Sequence, residues 1–303
     1  MTSLEELLER TSRTFALSIP VLPEPTRREV MIAYLLFRIA DTFEDASHWE
    51  PGKRIEALAD FQRMLAEPAP EEARRVSERW SAAGPSPHAG YRGLIAETPF
   101  VLESFFALRP EAAAPVRVHV GRSAQGMAGF VARSDGGALT LSGLDDLRAY
   151  CYAVAGIVGE MLTELFLLDR PALAPIAPFL RERAATFGEA LQLVNILKDS
   201  AVDASEGRRF LPASVPRSDV FALARRDLGT AADYIHALQR CGAPRGLVEF
   251  TALPVLLARA SLDRIEERGP GSKISRPEVF FLTRQLKSAL DSGRPAVPES
   301  GAA

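Results

Sequence analysis

Residues 26–45 read TRREVMIAYLLFRIADTFED. Val30, Tyr34, Phe37 and Asp41 recur in it at helical intervals, so the run predicts an α-helix. Asp41 and Asp45 stand at i and i+4, one above the other on a single helix face. Glu44 borders that face, and Arg38 and Tyr34 continue the stripe three and seven residues before Asp41. A second stretch far along the chain repeats the geometry. There Asn195, Asp199 and Asp203 fall at i, i+4 and i+8, and Gln192 extends the stripe backward by three.

Both stretches are otherwise apolar: Leu35, Leu36, Phe37 and Ile39 in one, Leu193, Val194, Ile196 and Leu197 in the other. An unpaired buried charge is very costly, so stacked carboxylates on such helices call for a partner. Hard cations supply one, and Mg²⁺ prefers a few carboxylates together with water and phosphate oxygens. Two aspartate helices facing each other would hold a small Mg²⁺ cluster, which would bind a diphosphate and neutralise it as it leaves. The competing reading is a solvated helix face, which is what an isolated D-x-x-x-D usually marks.

Working outward, the periodicity is helical nearly throughout. Ser3 with Glu6 makes a capping-box start for a short first helix. Further helices are expected at 52–65, 71–82, 93–108, 113–132, 144–168, 175–204, 218–228, 231–239, 245–267 and 276–290. Sustained period-2 alternation is absent, and no repeat is visible. The run Ser134-Asp135-Gly136-Gly137 reads as a loop tip. The expectation is one all-α domain over residues 1–291 and a polar tail over 292–303.

The composition excludes several classes. The chain has 303 residues, 47% hydrophobic and 25% charged, which is ordinary for a soluble globular protein. Thirty-six basic against 39 acidic residues give a net charge of −3, which argues against nucleic acid as a partner. Cys151 and Cys241 fit no metal spacing and suit a reducing cytoplasm. The histidines, His48, His88, His119 and His236, are too scattered for a zinc site. The N-terminus MTSLEELLERTSR has no secretory pattern. The weakly charged stretches around 150–159 and 250–257 fall short of the ~18 residues a membrane span requires. A soluble, cytoplasmic protein is expected, one that an oily substrate could still bring to a membrane surface.

Four motifs, in order, resemble those of the squalene/phytoene synthases, the head-to-head prenyl transferases. Ser12-Arg-Thr-Phe15 is similar to the family's S-R-S-F, and residues 34–45 resemble its Y-x-x-x-R-x-x-D-x-x-x-D. Tyr150-Cys-Tyr-Ala-Val-Ala-Gly156 with Val158-Gly159 resembles Y-C-x-x-V-A-G-x-V-G. Residues 191–203 followed by Gly207-Arg-Arg-Phe-Leu-Pro212 are similar to L-Q-x-x-N-I-x-R-D-x-x-x-D and G-R-x-x-x-P. The resemblance implies a class I isoprenoid synthase bundle of helices around a central apolar cavity, with both aspartate motifs at its mouth. It also implies the condensation of two prenyl diphosphates at C1, through a cyclopropyl diphosphate, to a 1-1′-linked product.

The implied roles follow the motifs. Asp41, Asp45, Asp199 and Asp203 would bind Mg²⁺, or Mn²⁺ in its place, with Asn195 as accessory ligand or diphosphate contact. Arg13, Arg38 and Arg208 would hold diphosphate oxygens, along with Gln192 and Lys198. Tyr150 would steady the cation or assist proton transfer, or else simply pack. Tyr34 and Phe15 would line the substrate pocket, and Phe37, Leu162 and Phe166 would line it or fill the core. Gly156 and Gly159 suit a close approach, either of another helix or of substrate.

Two departures stand out. Lys198 replaces the family's Arg, which keeps the charge and loses the planar fork. Lys273-Ile-Ser-Arg276 resembles a basic K-I-R-K run that serves NADPH, with Ser275 in place of a basic residue, so NADPH reduction stays open. Farnesyl diphosphate and a C30 product are favoured, squalene or dehydrosqualene, because the S-R-[ST]-F, D-T-x-E-D and Ala252-Leu-Pro254 segments read closest to squalene-type members. Phytoene from geranylgeranyl diphosphate, a class I terpene cyclase and a non-catalytic scaffold on the same fold are the alternatives.

Overall fold

The computed structural model describes residues 2–12, 14–134, 139–168, 170–205 and 207–298. Arg13, most of the loop tip at 134–137 and the end of the polar tail lie outside the described residues. The described residues form helices and turns, and their one β feature is an isolated parallel bridge between Thr140 and Arg209. The all-α expectation is met. The chain divides into two compact units, one of residues 1–19 and 24–139, the other of 20–23 and 140–303.

The first unit runs α1 (Leu4–Thr11), α2 (Phe15–Ser18), α3 (Thr26–Glu44), α4 (Pro51–Ala66), α5 (Pro70–Ala83), α6 (Ala89–Ala96), α7 (Thr98–Phe106) and α8 (Pro110–Ala132). Its boundaries are set by local chemistry. Ser3 accepts the Glu6 N–H to start α1, and a proline opens α4, α5 and α8, where its missing N–H costs nothing. Gly84 ends α5 in the left-handed conformation, φ 62°. Val116, Val120, Ala124 and Met127 of α8 form one fully buried stripe, and α8 packs across α3 and α4 with it.

The second unit runs α9 (Leu144–Cys151), a π turn (Tyr152–Gly156), α10 (Ile157–Leu167), a 3₁₀ turn (Pro171–Ile176), α11 (Ala177–Ser205), α12 (Arg217–Arg240), α13 (Arg245–Arg268) and α14 (Arg276–Asp291). The long α11 is its axis, packed by α10, α12 and α13. A buried hydrogen bond of 2.9 Å joins Thr163 of α10 to Tyr234 of α12.

Three boundaries differ from the sequence expectation. The helix expected at 93–108 is two, α6 and α7, because Pro99 cannot donate to the Ile95 carbonyl; Ser77 and Thr98 hydroxyls do so instead, at 2.8 and 2.9 Å. The helices expected at 218–228 and 231–239 are one. Gly229 is carried through because the buried stripe Ala224, Leu228, Ala231, Ile235 and Leu238 continues on both sides of it. The third difference is the π turn within 144–168. Together α9, the turn and α10 make a 24-residue helix, Leu144–Leu167, long and apolar enough by length and composition to cross a membrane, contrary to the expectation of shorter stretches. Of its most apolar window, 61% is buried inside the protein, as in a core helix.

The glycines of this segment make a helix crossing, which resolves the two readings of Gly159. A Cβ on Gly159 would sit 1.9 Å from the Ala184 carbonyl oxygen of α11, and one on Gly188 would sit 2.0 Å from that of Ala155. Gly159→Ala is therefore expected to destabilise the protein by about 1–3 kcal/mol through forced separation of α10 and α11. Thermal denaturation checks this, with Gly229→Ala, which meets nothing within 4 Å and is expected to hold or raise the melting temperature, as the control.

Candidate active site

In the first unit the aspartate stripe is what α3 leaves out of its core. Between Glu29 and Asp45 every residue is buried except Tyr34, Arg38, Asp41 and Asp45. Burial on three sides thus gives this face its position. The Tyr34 hydroxyl donates to the Thr11 carbonyl at 3.0 Å, and Arg38 Nε donates to that hydroxyl at 3.4 Å. Arg38 Nη1 lies 3.2 Å from Asp41 Oδ2. The guanidinium is sandwiched by aromatics, 5.6 Å from the Tyr34 ring centre and 5.3 Å from that of Tyr91. Phe15 tilts against Tyr34 at 5.3 Å. Tyr91 has no counterpart in the sequence reading, since it comes from α6, in a stretch of Pro, Ala and Gly with no motif.

The end of α3 is fixed from below. Buried Arg54 donates to the Phe43 and Glu44 carbonyls, a cation on the last orphan acceptors of the helix. Phe43 packs on Trp80 at 4.5 Å. These contacts hold the final turn, from which Asp41 and Asp45 project.

Burial pushes the Asp41 carboxyl up to about 6; Arg38 opposes the shift and Asp45 adds to it. Burial works against the Arg38 charge too, yet Asp41 and the two tyrosines hold it protonated, above the ordinary arginine value.

In the second unit α11 carries Gln192, Asn195, Lys198, Asp199 and Asp203. Gln192 is half-buried, Asn195 exposed and Asp203 buried. Lys198 Nζ bridges the Asn195 amide oxygen at 3.0 Å and Asp199 Oδ2 at 3.2 Å. Arg208 reaches back to Asp203, with Nη2 3.0 Å from Oδ1 and its backbone N–H 2.8 Å from the Asp203 carbonyl. Two residues on, Phe210 stacks on the buried Tyr150 ring at 4.6 Å and 24°. The motif that reads Gly207-Arg-Arg-Phe thus ties Asp203 to Tyr150, which its spacing did not disclose. Phe166 is fully buried edge-on to Phe250, and Phe37 and Leu162 are buried.

Sequence reasoning missed an ionic group next to the π turn. Arg148 lies 3.2 Å from Glu189 and 3.6 Å from Asp227, and the Tyr152 hydroxyl donates to Glu160 at 3.1 Å. Burial raises both the Glu189 and the Asp227 pKa values, and Arg148 offsets part of each rise. These positions are isolated charges in the sequence, and only the crossing of α9, α11 and α12 assembles them.

The folded pKa of Asp41 lies above that of an exposed aspartate, so its charge subtracts stability, by about 3 kcal/mol, above pH 6. The penalty fades as the pH falls through about 6 towards the ordinary carboxylate range. Metal-free Asp41→Asn is expected to melt a few degrees above wild type at pH about 7.5. That gain shrinks on acidification, and a lower melting temperature at neutral pH would contradict it.

The sequence matches the family model for squalene/phytoene synthase over residues 8–220. The chain is 29% identical over 278 residues to the squalene synthase of Eremothecium gossypii, covering 85% of this chain and 60% of that protein. To the squalene synthase of Yarrowia lipolytica it is 30% identical over 309 residues, covering 93% and 63%. Against several other fungal squalene synthases it spans about 45% of their length. The fold is shared with TcSQS bound to E5700, at a TM-score of 0.77 and 22% identity, covering 96% of this chain and 87% of that one. It is shared too with a ligand-bound dehydrosqualene synthase, at 0.61 and 23%, covering 95% of each. With the family model matched over residues 8–220, the chain belongs to the squalene/phytoene synthase family.

Proposed function

We propose that the protein is a Mg²⁺-dependent prenyltransferase that joins two farnesyl diphosphates head to head, through presqualene diphosphate, to a C30 product, squalene or dehydrosqualene. The observation that carries this reading is that each unit holds aspartates four residues apart on one helix with a cation fixed beside them: Arg38 at Asp41, Lys198 at Asp199 and Arg208 at Asp203.

The donor set suits Mg²⁺. Asp41, Asp45, Asp199 and Asp203 are hard oxygen ligands, and Asn195 adds an amide oxygen. Among the described residues no three His, Cys, Asp or Glu side chains already converge as a cage. Mg²⁺ asks for less, one or two carboxylates with water and phosphate oxygens. When bound it neutralises the departing diphosphate. Arg38, Arg208 and Lys198, with Arg13 and Gln192, grip the diphosphate oxygens by charge-assisted and polar hydrogen bonds. Lys198 does so as a point charge, where an arginine would offer a fork.

The chemistry then breaks the C1–O bond of the first substrate, leaving an allylic cation that the C2=C3 bond of the second captures. Loss of a proton closes the cyclopropane. Tyr150, buried against Phe210, assists that proton loss or steadies the cation, while Tyr34 and Phe15 flank the prenyl chain. Water must be kept from the cation, which an apolar cavity achieves.

The decisive assay offers farnesyl and geranylgeranyl diphosphate together, with Mg²⁺, with and without NADPH, and identifies products by mass spectrometry. A C30 main product is expected, and its hydrogen content shows whether NADPH is used. A C40 main product would instead mark a phytoene synthase, and a C15 hydrocarbon a class I cyclase. Asp199→Ala is expected to lower the rate about 10²–10³-fold with little change in melting temperature; full activity would remove Asp199 from the reaction. Tyr150→Phe keeps the stack on Phe210, so a fall in kcat of about 10²-fold at constant KM assigns chemistry to the hydroxyl. An unchanged kcat assigns it packing alone.

A further inference from the structure

Helix α14 has Leu286 as its one buried side chain, and Val279, Leu282, Thr283, Ala289 and Leu290 are half-buried on the same side. That side packs on α13. The opposite side carries Phe280 and Phe281, 65% and 59% exposed, the two most exposed large apolar side chains among the described residues. A single exposed apolar residue is ordinary, but two adjacent phenyl groups on one helix face leave a cost that a covering surface would remove.

Charge says what that surface is. Between Arg268 and Asp291 the acids are Glu278 and Asp291, and both are taken, by Arg264 and Arg245. Lys287 pairs with Glu249 at 3.7 Å. Arg268, Lys273, Arg276 and Arg284 have no carboxylate within ion-pair distance among the described residues, and Arg284 sits 5.9 Å from the Phe280 ring. Exposed phenyls with uncompensated cations one turn away on the same helix, Arg276 and Arg284, match a helix lying in the interface of an anionic bilayer, phenyls among the acyl chains and cations at the headgroups. A second copy seated face to face would set the same cations against one another.

We infer that the Phe280–Phe281 face of α14, with Arg284 and the neighbouring cations, docks the protein on an anionic lipid surface. The inference rests on this face alone and not on the reaction proposed above, although a water-insoluble product would leave readily into that surface.

Vesicle co-sedimentation of the full chain tests it. Wild type is expected to bind vesicles with about 30% phosphatidylglycerol and to bind pure phosphatidylcholine weakly, with binding falling as salt rises from about 0.05 to about 0.5 M. Phe280→Ser/Phe281→Ser is expected to lower the partition coefficient roughly tenfold or more. Arg284→Gln is expected to lower it several-fold on anionic vesicles alone. All three proteins should share one melting temperature and one turnover rate in vesicle-free buffer, so failure here is separable from failure of the enzymatic reading. Equal binding by wild type and the double serine variant would overturn the proposal. So would light scattering that shows wild type a dimer and the variant a monomer, because the face would then be a subunit contact.

Discussion

A carboxylate on a helix that is otherwise buried is the constraint around which this protein is arranged. α3 buries nearly every side chain from Glu29 to Asp45, and the exceptions are Tyr34, Arg38, Asp41 and Asp45. The Asp41 charge is therefore desolvated on most sides, its pKa rises, and Arg38 compensates only in part. Such a site is costly in the metal-free protein and gains most when cations arrive. Stability is given up locally for a place where charge can be bound.

The surroundings keep that geometry from relaxing. Tyr34 is anchored to the Thr11 carbonyl, Arg38 lies between two tyrosine rings, and Arg54 caps the carbonyls of the last turn. In the second unit the glycine contacts draw α10 and the π turn onto α11 with no room for a methyl group. The π turn begins two residues after Tyr150, and such insertions change the facing of residues on either side. Half-exposed Arg148, paired with buried Glu189 and Asp227, ties α9, α11 and α12 together at the same level. Asp203, Arg208, Phe210 and Tyr150 then form one connected line from the aspartate helix to the tyrosine.

Much of this was legible from pattern. Helical periodicity placed most helices to within a few residues, because an amphipathic face written every three or four positions survives any packing partner. The aspartate stripes were legible for the same reason, i and i+4 lying on one face wherever the helix goes. Where the reading failed, a tertiary effect outweighed a local one. Gly229 did not break α12, since the apolar stripe on both sides packs as one. The single helix expected at 93–108 was divided by Pro99, with two hydroxyls taking over the freed carbonyl.

The sequence by itself determined the helical class, the two carboxylate stripes and the order of motifs that marks the family, because each depends on spacing along one chain. Only the tertiary structure decided that Gly159 serves a helix crossing, that Phe166 is core, that Tyr91 joins Arg38 and that Phe210 joins Tyr150. It also decided that Phe280 and Phe281 face outward. Contacts between residues far apart in the chain depend on which helix faces meet, and no spacing within one helix encodes its partner.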